Sequence, residues 1–556
     1  MQQECRQCSA VFEIIEDDLA FYGKISPRIN DKTYAIPPPT LCPDCRLQRR
    51  LMYRNDRNFY KRRSDKSGRE IVTLYSPDKP YTIYDKDEWW SDEWDPRAYG
   101  RDIDFSRPFF EQFHELRLLV PRASLFTSNS ENSYYTNHAL NMKNCYLIWG
   151  GGEDVDCMYG NFLAFCKNTV DSFSLFSCEH CYEGIASDHC YECIGFLNCR
   201  DCQSSTAIEE CSSCAFCIGC YGLHRRQYCL FNRQLSKEEW LQRKSELGSL
   251  TLEKISLLQQ QLEALKKGMP RRGSHIYASE NCTGDSIYNS KNCRYCFDIK
   301  DCEDCMFTAF TPGGISSYDS TFTAPTGVEK CYFVCSSLGH GLLFTFLAYN
   351  CNFTLYSQEC HYCNNIFGCA SMRHHEYCIL NKQYSKEEYE KTMGKLIEHM
   401  QETGEWGEYF PPKYAPITYN ESNGIDFFPL TKEEVEEKGW QWRDPDPPAE
   451  EGTLITRIPE TIGEVDESIT KGLIRCEVSG KPFKILPQEL SFYRTMQLPI
   501  PRKHPITRHE DRLMWRCPRR LWKKKCMKCG KEMQTTYSPE RPEIVYCESC
   551  YLAEVY

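Results

Sequence analysis

The chain has 556 residues, of which 41% are hydrophobic and 26% charged, and its formal net charge is −11. These proportions are close to those of globular proteins and exclude a chain that is disordered throughout. At about 150 residues per domain, the length predicts about three or four folded units. The most apolar run, residues 342–349, is far shorter than the ~20 residues of a membrane-spanning helix, so we expect no membrane association.

Cysteine is the most unusual component of the composition, with 36 residues. The first residues, Met1 to Arg6, lack the basic head and apolar stretch of a secretory signal, which favours a cytoplasmic location. Disulfide frameworks are rare in that compartment. We therefore expect the thiols to bind metal or to be buried.

Two CxxC pairs open the chain, at Cys5 and Cys8 and at Cys42 and Cys45. Zinc prefers four tetrahedral thiolate ligands, and each CxxC turn can direct two sulfurs toward one point. Reduced thiols that are only buried in a core would have no need to occur as two CxxC pairs. The spacing predicts a zinc site within an N-terminal zinc-ribbon module at residues 1–95.

Residues 4–50 resemble the probable zinc-ribbon domain family. The shared features are the first CxxC, the pair Phe21-Tyr22, three prolines at 37–39, and the closing Cys42-Pro-Asp-Cys45-Arg46 followed by basic residues. The chain as a whole also resembles bacterial cysteine-rich proteins of this layout. The resemblance implies bound zinc and a ribbon fold, and it implies no particular activity.

The middle of the chain repeats itself, after a predicted connecting helix or linker at residues 96–130. The pair Asn144-Cys145 recurs 148 residues later as Asn292-Cys293, and this duplication relates residues 131–235 to residues 273–384. Inside the first half a spacing of 21 residues separates equivalent cysteines, namely Cys157, Cys178, Cys199 and Cys220. Units of this length cannot bury an apolar side alone. We therefore expect a Cys-rich β-solenoid made of two repeated halves with 21-residue coils, the second half less regular.

The cysteines of this region have two interpretations. The first places them inside the coils as ladders, where each small side chain packs on its copy ~5 Å away. The second is metal binding or redox chemistry, suggested by the run Cys211, Cys214, Cys217 and Cys220. That run differs from the bacterial ferredoxin pattern, which has a longer last gap and a following proline. The ladder interpretation is favoured, and the other stays open.

Each half is followed by a predicted helix. Ser236 and Ser385 each precede a glutamate by three residues, which is the pattern of a capping box. Apolar residues then recur at intervals of three and four, which predicts a helical hairpin at residues 236–272. The second capping box begins a helix at 385–404, and the proline-rich, acidic residues 405–469 predict a linker.

The C-terminal segment, residues 470–556, contains a second predicted zinc site. Its ligands have the C-x2-C-x17-C-x2-C spacing of a zinc ribbon and are Cys526, Cys529, Cys547 and Cys550. Aligning this segment with the N-terminal module places Ser64, Ser67, Asp85 and Glu88 at those four positions. Conversely, Cys476 and Ser479 align with the first CxxC pair, and His509 and Arg512 with the second. We infer a duplicated two-site module whose copies each keep a different site.

Both modules are strongly basic beside their cysteines. Residues 46–69 hold ten Lys or Arg against two Asp, and residues 512–531 hold nine against none. Such clusters are typical of surfaces that bind nucleic-acid phosphates, although they can also neutralise a zinc–thiolate centre or engage an acidic protein, including the chain's own middle. The candidate phosphate-binding residues are Arg49, Arg50, Arg62, Arg63, Arg519, Arg520, Lys523, Lys524 and Lys525.

The functional expectation is non-enzymatic, since the sequence has no HExxH, P-loop or GxSxG pattern. The fold class is mainly β with short helices, with zinc-ribbon modules at both termini flanking the solenoid. The favoured function is binding of RNA, DNA or a nucleoprotein through the basic ends, with two bound zinc ions. The alternatives are a protein-interaction scaffold with an acidic protein partner, and a metal-handling or redox protein using the central cysteines.

Overall fold

The computed structural model describes residues 1–323, 327–444, 446 and 452–555. In chain order they form an N-terminal module, a first stack of parallel strands, a helical hairpin, a second stack and a C-terminal module. β structure predominates, as expected, and no helix of the described residues has the length and apolarity needed to cross a bilayer. Part of the predicted acidic linker, residues 445 and 447–451, lies outside the described residues.

The N-terminal module, residues 1–95, has two halves, each built on an antiparallel strand pair. A connecting helix follows, as predicted, and leads to a strand that pairs in parallel with the last strand of the module. The elements are β1 Gln2–Glu4, β2 Val11–Glu13, α1 Glu16–Ile25, β3 Arg28–Ile29, β4 Lys32–Thr33, α2 Pro43–Leu51, β5 Tyr60–Arg63, β6 Glu70–Thr73, β7 Ile83–Tyr84, α3 Lys86–Trp90, α4 Phe109–Leu119 and β8 Arg122–Ala123.

The first coil stack, residues 127–234, is a winding in which paired parallel residues lie 12 positions apart. Tyr146 pairs with Met158, and Met158 pairs in turn with Val170. Its strands are β9 Thr127–Ser128, β10 Ala139–Leu140, β11 Tyr146–Trp149, β12 Met158–Ala164, β13 Lys167–Val170, β14 Phe173–Phe176, β15 Glu179–Asp188, β16 Ile194–Leu197, β17 Thr206–Glu209, β18 Ala215–Tyr221, β19 Gln227–Leu230 and the closing antiparallel β20 Arg233–Gln234.

A left-handed backbone corner recurs every three residues along this winding. One coil has corners at Asn141 (φ 55°), Asn144 (φ 54°), Leu147 (φ 53°) and Gly150 (φ 64°). Positive φ is uncommon for residues with a Cβ, and Asn and Asp, which tolerate it best, supply many of the corners. Each 12-residue coil therefore has four short sides.

The predicted 21-residue coil is wrong, because the chain winds with a period of 12 residues. The cysteines of this stack directly follow the corner residues and occupy the inward-facing position of each three-residue side. Any spacing divisible by three returns a residue to that position. The even 21-residue intervals therefore reflect the repeat of the sides and not the length of a coil.

Inward cysteine and threonine side chains make the same hydrogen bonds inside the coils. The thiol of Cys193 lies 3.5 Å from the carbonyl oxygens of both Tyr191 and Cys202. The hydroxyl of Thr169 repeats this pattern two residues back and nine residues ahead, at 3.2 and 3.5 Å. Cysteines 12 residues apart also form a column, Cys166, Cys178, Cys190, Cys202 and Cys214. The thiols thus fill a narrow interior and give its carbonyl groups donors, as the ladder interpretation requires.

The predicted helical hairpin is present and packs on the first coil stack. Ser236 caps its first helix and forms a capping box with Glu239, as predicted. Leu258 and Leu262 of the second helix are buried. The elements are α5 Lys237–Leu247 and α6 Leu252–Lys266, followed by strand β21 Arg271–Arg272.

The second coil stack, residues 276–383, repeats this winding less regularly, as expected. Paired residues are 11 apart at Ile276 and Ile287 and again at Tyr332 and Leu343, 14 apart at Tyr318 and Tyr332, and 12 apart in the other regular coils, such as at Phe297 and Ala309. Its strands are β22 Ile276–Tyr277, β23 Gly284–Tyr288, β24 Cys296–Lys300, β25 Ala309–Pro312, β26 Tyr318–Thr321, β27 Val328–Glu329, β28 Tyr332–Cys335, β29 Leu338–His340, β30 Leu343–Leu355, β31 Gln358–His361, β32 Asn364–Phe367, β33 Glu376–Ile379 and β34 Lys382–Gln383.

Residues 405–444 are packed into the core, so the prediction of a linker is wrong for this segment. Trp406, Tyr409 and Phe410 are buried, and the ring of Tyr409 stacks on Phe333 with 4.5 Å between centroids. Aromatic side chains that lie among the prolines anchor this segment to the rest of the protein. The helices here are α7 Lys386–Glu402, which begins at the predicted capping box, α8 Gly424–Phe427 and α9 Lys432–Glu437.

The C-terminal module, residues 470–555, repeats the two halves of the N-terminal module. Its last strand pairs in parallel with Arg271 and Arg272, as β7 does with Arg122 and Ala123. Its elements are β35 Ile474–Arg475, β36 Pro482–Phe483, α10 Pro487–Met496, α11 Pro505–Met514, β37 Trp522–Lys525, β38 Glu532–Thr535, β39 Val545–Tyr546 and α12 Glu548–Val555.

The N-terminal module docks on the second coil stack through a buried ion triad. Arg46 Nε and Arg50 Nη1, one turn apart on α2, donate to the carboxylate of Asp319 at 2.8 and 2.7 Å. All three side chains are at most 1% exposed. Beside them, Phe21 stacks on Tyr318 with 3.7 Å between centroids.

The C-terminal module docks on the first coil stack through the matching triad. Arg508 and Arg512, one turn apart on α11, both bind the carboxylate of Asp171, with 2.9 Å from Arg512 Nη1. Asp171 is fully buried and lies 148 residues before Asp319, which is the spacing of the coarse duplication. The two modules are therefore docked crosswise, each on the stack that is more distant in sequence.

Candidate metal centres and basic cleft

The N-terminal cysteine cluster joins a tight turn to the start of a helix. Cys5 and Cys8 lie in the turn between β1 and β2, where the amide of Ser9 donates to the carbonyl of Cys5 at 2.9 Å. Cys42 is the N-cap of α2, Pro43 fixes the first helical residue, and Cys45 lies one turn in. Cys8 is exposed and the other three cysteines are buried.

The C-terminal cysteine cluster has the same plan in the other half of its module. Cys526 and Cys529 lie in the turn between β37 and β38, which closes at Gly530 with φ 75°. Cys547 precedes α12, its amide donates to the sulfur of Cys526 at 3.2 Å, and Cys550 follows in the helix. Only Cys526 is buried, so this cluster is more open to solvent than the N-terminal one.

Both clusters have the dimensions of a metal centre. The four sulfurs of each lie within 4.8 Å of one another, and the pairs Cys8–Cys42 and Cys529–Cys547 are 3.7 Å apart. Four thiolates at about 2.3 Å from a tetrahedral ion are separated by about 3.8 Å. Each terminus can therefore hold one metal ion, as predicted.

The central cysteines do not converge in this way. Within the described residues, the two terminal clusters are the only groups of three or more Cys, His, Asp or Glu whose ligand atoms come this close. The run Cys211 to Cys220 is thus part of the coil interior.

The first half of the C-terminal module has lost its cluster, but at different residues from those predicted. His504 is the N-cap of α11 with Pro505 after it, as Cys42 is the N-cap of α2 with Pro43 after it. Thr507 therefore occupies the position of Cys45, and its hydroxyl lies 3.8 Å from the Cys476 sulfur. The alignment of His509 and Arg512 with Cys42 and Cys45 is wrong, because the loop before α11 is nine residues shorter than its counterpart.

The second half of the N-terminal module has replaced its cluster with hydrogen bonds. Ser64 donates to Glu88 and accepts from the Asp85 amide at 3.4 Å, while Arg69 binds Asp85 at 2.9 Å and Glu88 at 3.4 Å. Although burial opposes ionisation of Glu88, hydrogen bonds from Ser64 and Ser67 hold its pKa below the ordinary value. A salt-bridged turn thus replaces the four thiolates.

Three of the predicted phosphate-binding residues are buried within the protein. Arg50 is in the triad with Asp319, Arg49 is 9% exposed and donates to Gln7 at 3.1 Å, and Arg519 binds Asp298 at 2.7 and 2.9 Å. A buried guanidinium with internal partners cannot reach a phosphate. The prediction is therefore wrong for Arg49, Arg50 and Arg519, and the charges of Arg50 and Arg519 neutralise Asp319 and Asp298 inside the fold.

The remaining candidates lie nearer the surface. Arg62 is largely covered and donates to the carbonyl of Tyr81, whereas Arg63 is exposed. Arg520 has a 62% exposed side chain, 3.8 Å from Asp44. Sequence reasoning could not separate these residues from the buried ones, because both kinds occur in the same basic runs.

Lys523, Lys524 and Lys525 line a cleft of about 510 Å³ between the β37–β38 hairpin and the start of the second coil stack. Its opposite wall is formed by residues 274, 276 and 282–284, and Glu532 to Gln534 complete the hairpin side. None of the three lysines forms a salt bridge with another described residue. The cleft therefore combines open space with three lysines and one carboxylate, that of Glu532, and so has a net positive charge.

At the equivalent position of the N-terminal module, two aromatic side chains bridge the hairpin and the first coil stack. There Phe59, before β5, packs edge to face on Tyr135 of the first coil stack at 5.7 Å between centroids. In the second coil stack the segment 149 residues later carries Gly284, with φ 143° and no side chain. The cleft thus belongs to the half that keeps the exposed cysteine cluster.

Comparison of the sequence with protein-family models gives no match, and comparison with curated proteins also gives none. A function for this chain therefore has to be derived from the metal centres, the cleft and their surroundings.

Proposed function

We propose that this chain is a non-enzymatic, cytoplasmic zinc protein that binds RNA, DNA or a nucleoprotein in the basic cleft of its C-terminal module. The observation that carries the proposal is the cleft of about 510 Å³ beside the more exposed cysteine cluster, with three lysines that form no salt bridge to any residue the structure describes. The N-terminal basic residues are assigned no part in binding, since most of their charge is neutralised internally.

Zinc is the metal that best suits the two clusters. Four thiolates in a tetrahedral arrangement are its usual structural site, and such closed sites leave no position for substrate. In the C-terminal module the ion would fix the turn that joins β37 to β38, and with it the lysine strand. The role of zinc in this proposal is to hold the cleft wall rigid, not to catalyse a reaction.

The two coil stacks act in this proposal as a rigid β-solenoid that carries the modules. Parallel ladders on every side, with inward thiols and hydroxyls bonded to carbonyls, resist bending and twisting. The crosswise triads at Asp171 and Asp319 then hold each module against this support. A nucleic-acid strand in the cleft would meet fixed charges, which is favourable because less side-chain entropy is lost on binding.

The test is a binding titration with labelled single-stranded RNA, single-stranded DNA and duplex DNA over about 50–200 mM salt. We expect salt-sensitive binding that the triple variant Lys523→Glu, Lys524→Glu and Lys525→Glu abolishes. Lys61→Glu with Arg63→Glu, at the equivalent strand of the N-terminal module, is the matched control and should leave binding unchanged. Binding that does not weaken with salt, or that persists in the triple variant, would contradict the proposal. A protein partner that stays bound after nuclease treatment would favour the scaffold alternative.

A further inference from the structure

A buried guanidinium without an acidic partner lies where α4, β8 and the second coil stack meet. Arg117 is 2% exposed, and its Nη1 donates to the carbonyl of Tyr414 at 2.9 Å. Its Nε and Nη2 have no hydrogen-bond partner among the described residues. Arg117 also forms no salt bridge with any of those residues.

The neighbouring polar groups are similarly incomplete. Arg122 is paired with Glu359, but its Nη1 has no partner among the described atoms, and the same holds for the side-chain nitrogen and oxygen of Gln358. All three side chains are at most 2% exposed. With Arg117 they line a cavity of about 10 Å³, which is room for one water molecule or one monatomic ion.

The charges around this cavity do not balance. Arg117 and Arg122 are two positive charges, because guanidinium groups stay protonated in proteins, and Glu359 is the one negative charge among the described residues that line the cavity. The nearby ring of His114 is neutral near pH 7, since burial and the two arginines lower its pKa to about 4. The site therefore retains one positive charge, and the side chains with unpaired N–H groups are among those that line the cavity.

The duplication supplies an internal control. At the positions 149 residues away, the equivalent site beside the first coil stack has Lys266 of α6, Arg271 of β21, Glu209 and Glu210 in place of Arg117, Arg122, Gln358 and Glu359. There Lys266 binds Glu209 at 2.5 Å, and so has the carboxylate that Arg117 lacks. The exchange of Glu for Gln at position 358 is thus the feature that leaves the second site positively charged.

We infer that the cavity lined by Arg117, Arg122 and Gln358 is a binding site for a small monatomic anion of the halide class, such as chloride. The anion accepts hydrogen bonds from the guanidinium groups and the Gln358 amide, and it supplies the missing negative charge. A water molecule could accept the same hydrogen bonds but would leave the charge uncompensated. Phosphate and sulfate are too large for a cavity of this size.

Crystals of the full-length protein grown in sodium bromide provide the direct test. We expect an anomalous bromide peak within hydrogen-bonding distance of Arg117 and Arg122. Diffraction that shows only a water molecule at this position, without anomalous signal, would overturn the assignment.

Thermal unfolding gives a second test that needs no crystals. At matched ionic strength, the midpoint for the parent protein should be a few degrees higher in sodium chloride than in sodium gluconate, since a ligand bound only by the folded state stabilises it. Gln358→Glu provides the carboxylate in place of the anion and should remove this difference. An equal chloride effect in both proteins would contradict the inference. If the variant fails to fold, the anomalous bromide experiment on the parent protein is the test.

Discussion

The two terminal modules share one plan but keep metal ligands in opposite halves. The N-terminal module keeps its four cysteines where α2 begins, next to the arginines that dock it, whereas the C-terminal module keeps its four at the hairpin that lines the cleft. Yet α11 docks through Arg508 and Arg512 with no cysteine cluster at its start. Docking and metal binding are therefore separable properties of the module.

The comparison also explains how the lost sites were replaced. In the N-terminal module, Ser64, Glu88 and Arg69 close the turn with hydrogen bonds and a salt bridge. In the C-terminal module, Thr507 and Cys476 remain in contact without forming a metal centre. Each lost site is thus held by contacts between side chains in place of a metal ion.

The largest effect is expected from breaking the docking triads. Asp319→Asn removes the anion shared by two buried guanidinium groups and should lower the free energy of unfolding by about 3–5 kcal/mol. Because docking is crosswise, limited proteolysis should then release the N-terminal module first. Asp171→Asn should instead release the C-terminal module.

Asp201→Asn is the matched control for both triad variants. Asp201 is also a corner residue with positive φ, but it is exposed. We expect this variant to change the free energy of unfolding by less than about 0.5 kcal/mol. If Asp319→Asn exposed the C-terminal module instead, the crosswise arrangement would be wrong.

The two cysteine clusters should release their metal ions to a chelator at different rates. The parent should contain about two zinc ions per chain, and Cys45→Ser or Cys550→Ser should each reduce this to about one. Transfer to a chelator should be about tenfold slower from the N-terminal site, a barrier difference of about 1.4 kcal/mol, because three of its four sulfurs are buried. Metal content and transfer rates are measured with a colorimetric chelator, and faster release from Cys550→Ser than from Cys45→Ser would contradict this order.

The local features were the most predictable from the sequence. The CxxC spacings placed both metal clusters, and the capping boxes at Ser236 and Ser385 placed two helices, because in each case a few residues specify a local geometry. The coarse duplication likewise predicted two related stacks of parallel strands. The 21-residue coil failed because inward positions recur every three residues, and several longer periods fit the same cysteines.

The partners of the charged residues could not be predicted in this way. Arg50 and Lys523 both lie in basic runs, yet one is fully buried against Asp319 and the other is exposed beside the cleft. The difference depends on contacts between residues hundreds of positions apart, which no local pattern encodes. For the same reason, the crosswise docking of the modules and the burial of Trp406 could not be predicted from the sequence.

The junction between the stacks should make stability depend on pH. His275 lies between Glu210 and Asp285, at 2.7 and 2.8 Å, whereas the corresponding residue before the first coil stack is Phe126. Although burial disfavours the charged ring, the two carboxylates raise the pKa of His275 well above its ordinary value. A raised folded pKa means that the stabilisation is complete below about pH 6.5 and is lost as pH rises through the folded pKa.

His275→Gln removes this titration and tests it. The parent should exceed the variant in free energy of unfolding by about 1–3 kcal/mol at pH 6, and the difference should shrink on going to alkaline pH. Urea denaturation at a series of pH values measures it. Phe126→Leu, at the equivalent position of the other half, should show a difference that does not vary with pH, and a constant difference for His275→Gln would exclude the proposed charge.

The smallest effect is expected where a cysteine only lines a coil. In Cys193→Ser a hydroxyl can donate to the carbonyl oxygens of Tyr191 and Cys202, as Ser205 does to Gln203 at 2.8 Å one coil further on. We expect a change below about 1 kcal/mol in the free energy of unfolding and an unchanged zinc content. Cys193→Ala removes the donor as well as the sulfur and should cost about 1–2 kcal/mol. If Cys193→Ser instead lowered the metal content as Cys45→Ser does, the coil cysteines would be ligands, and the division between terminal thiolates and interior thiols would fail.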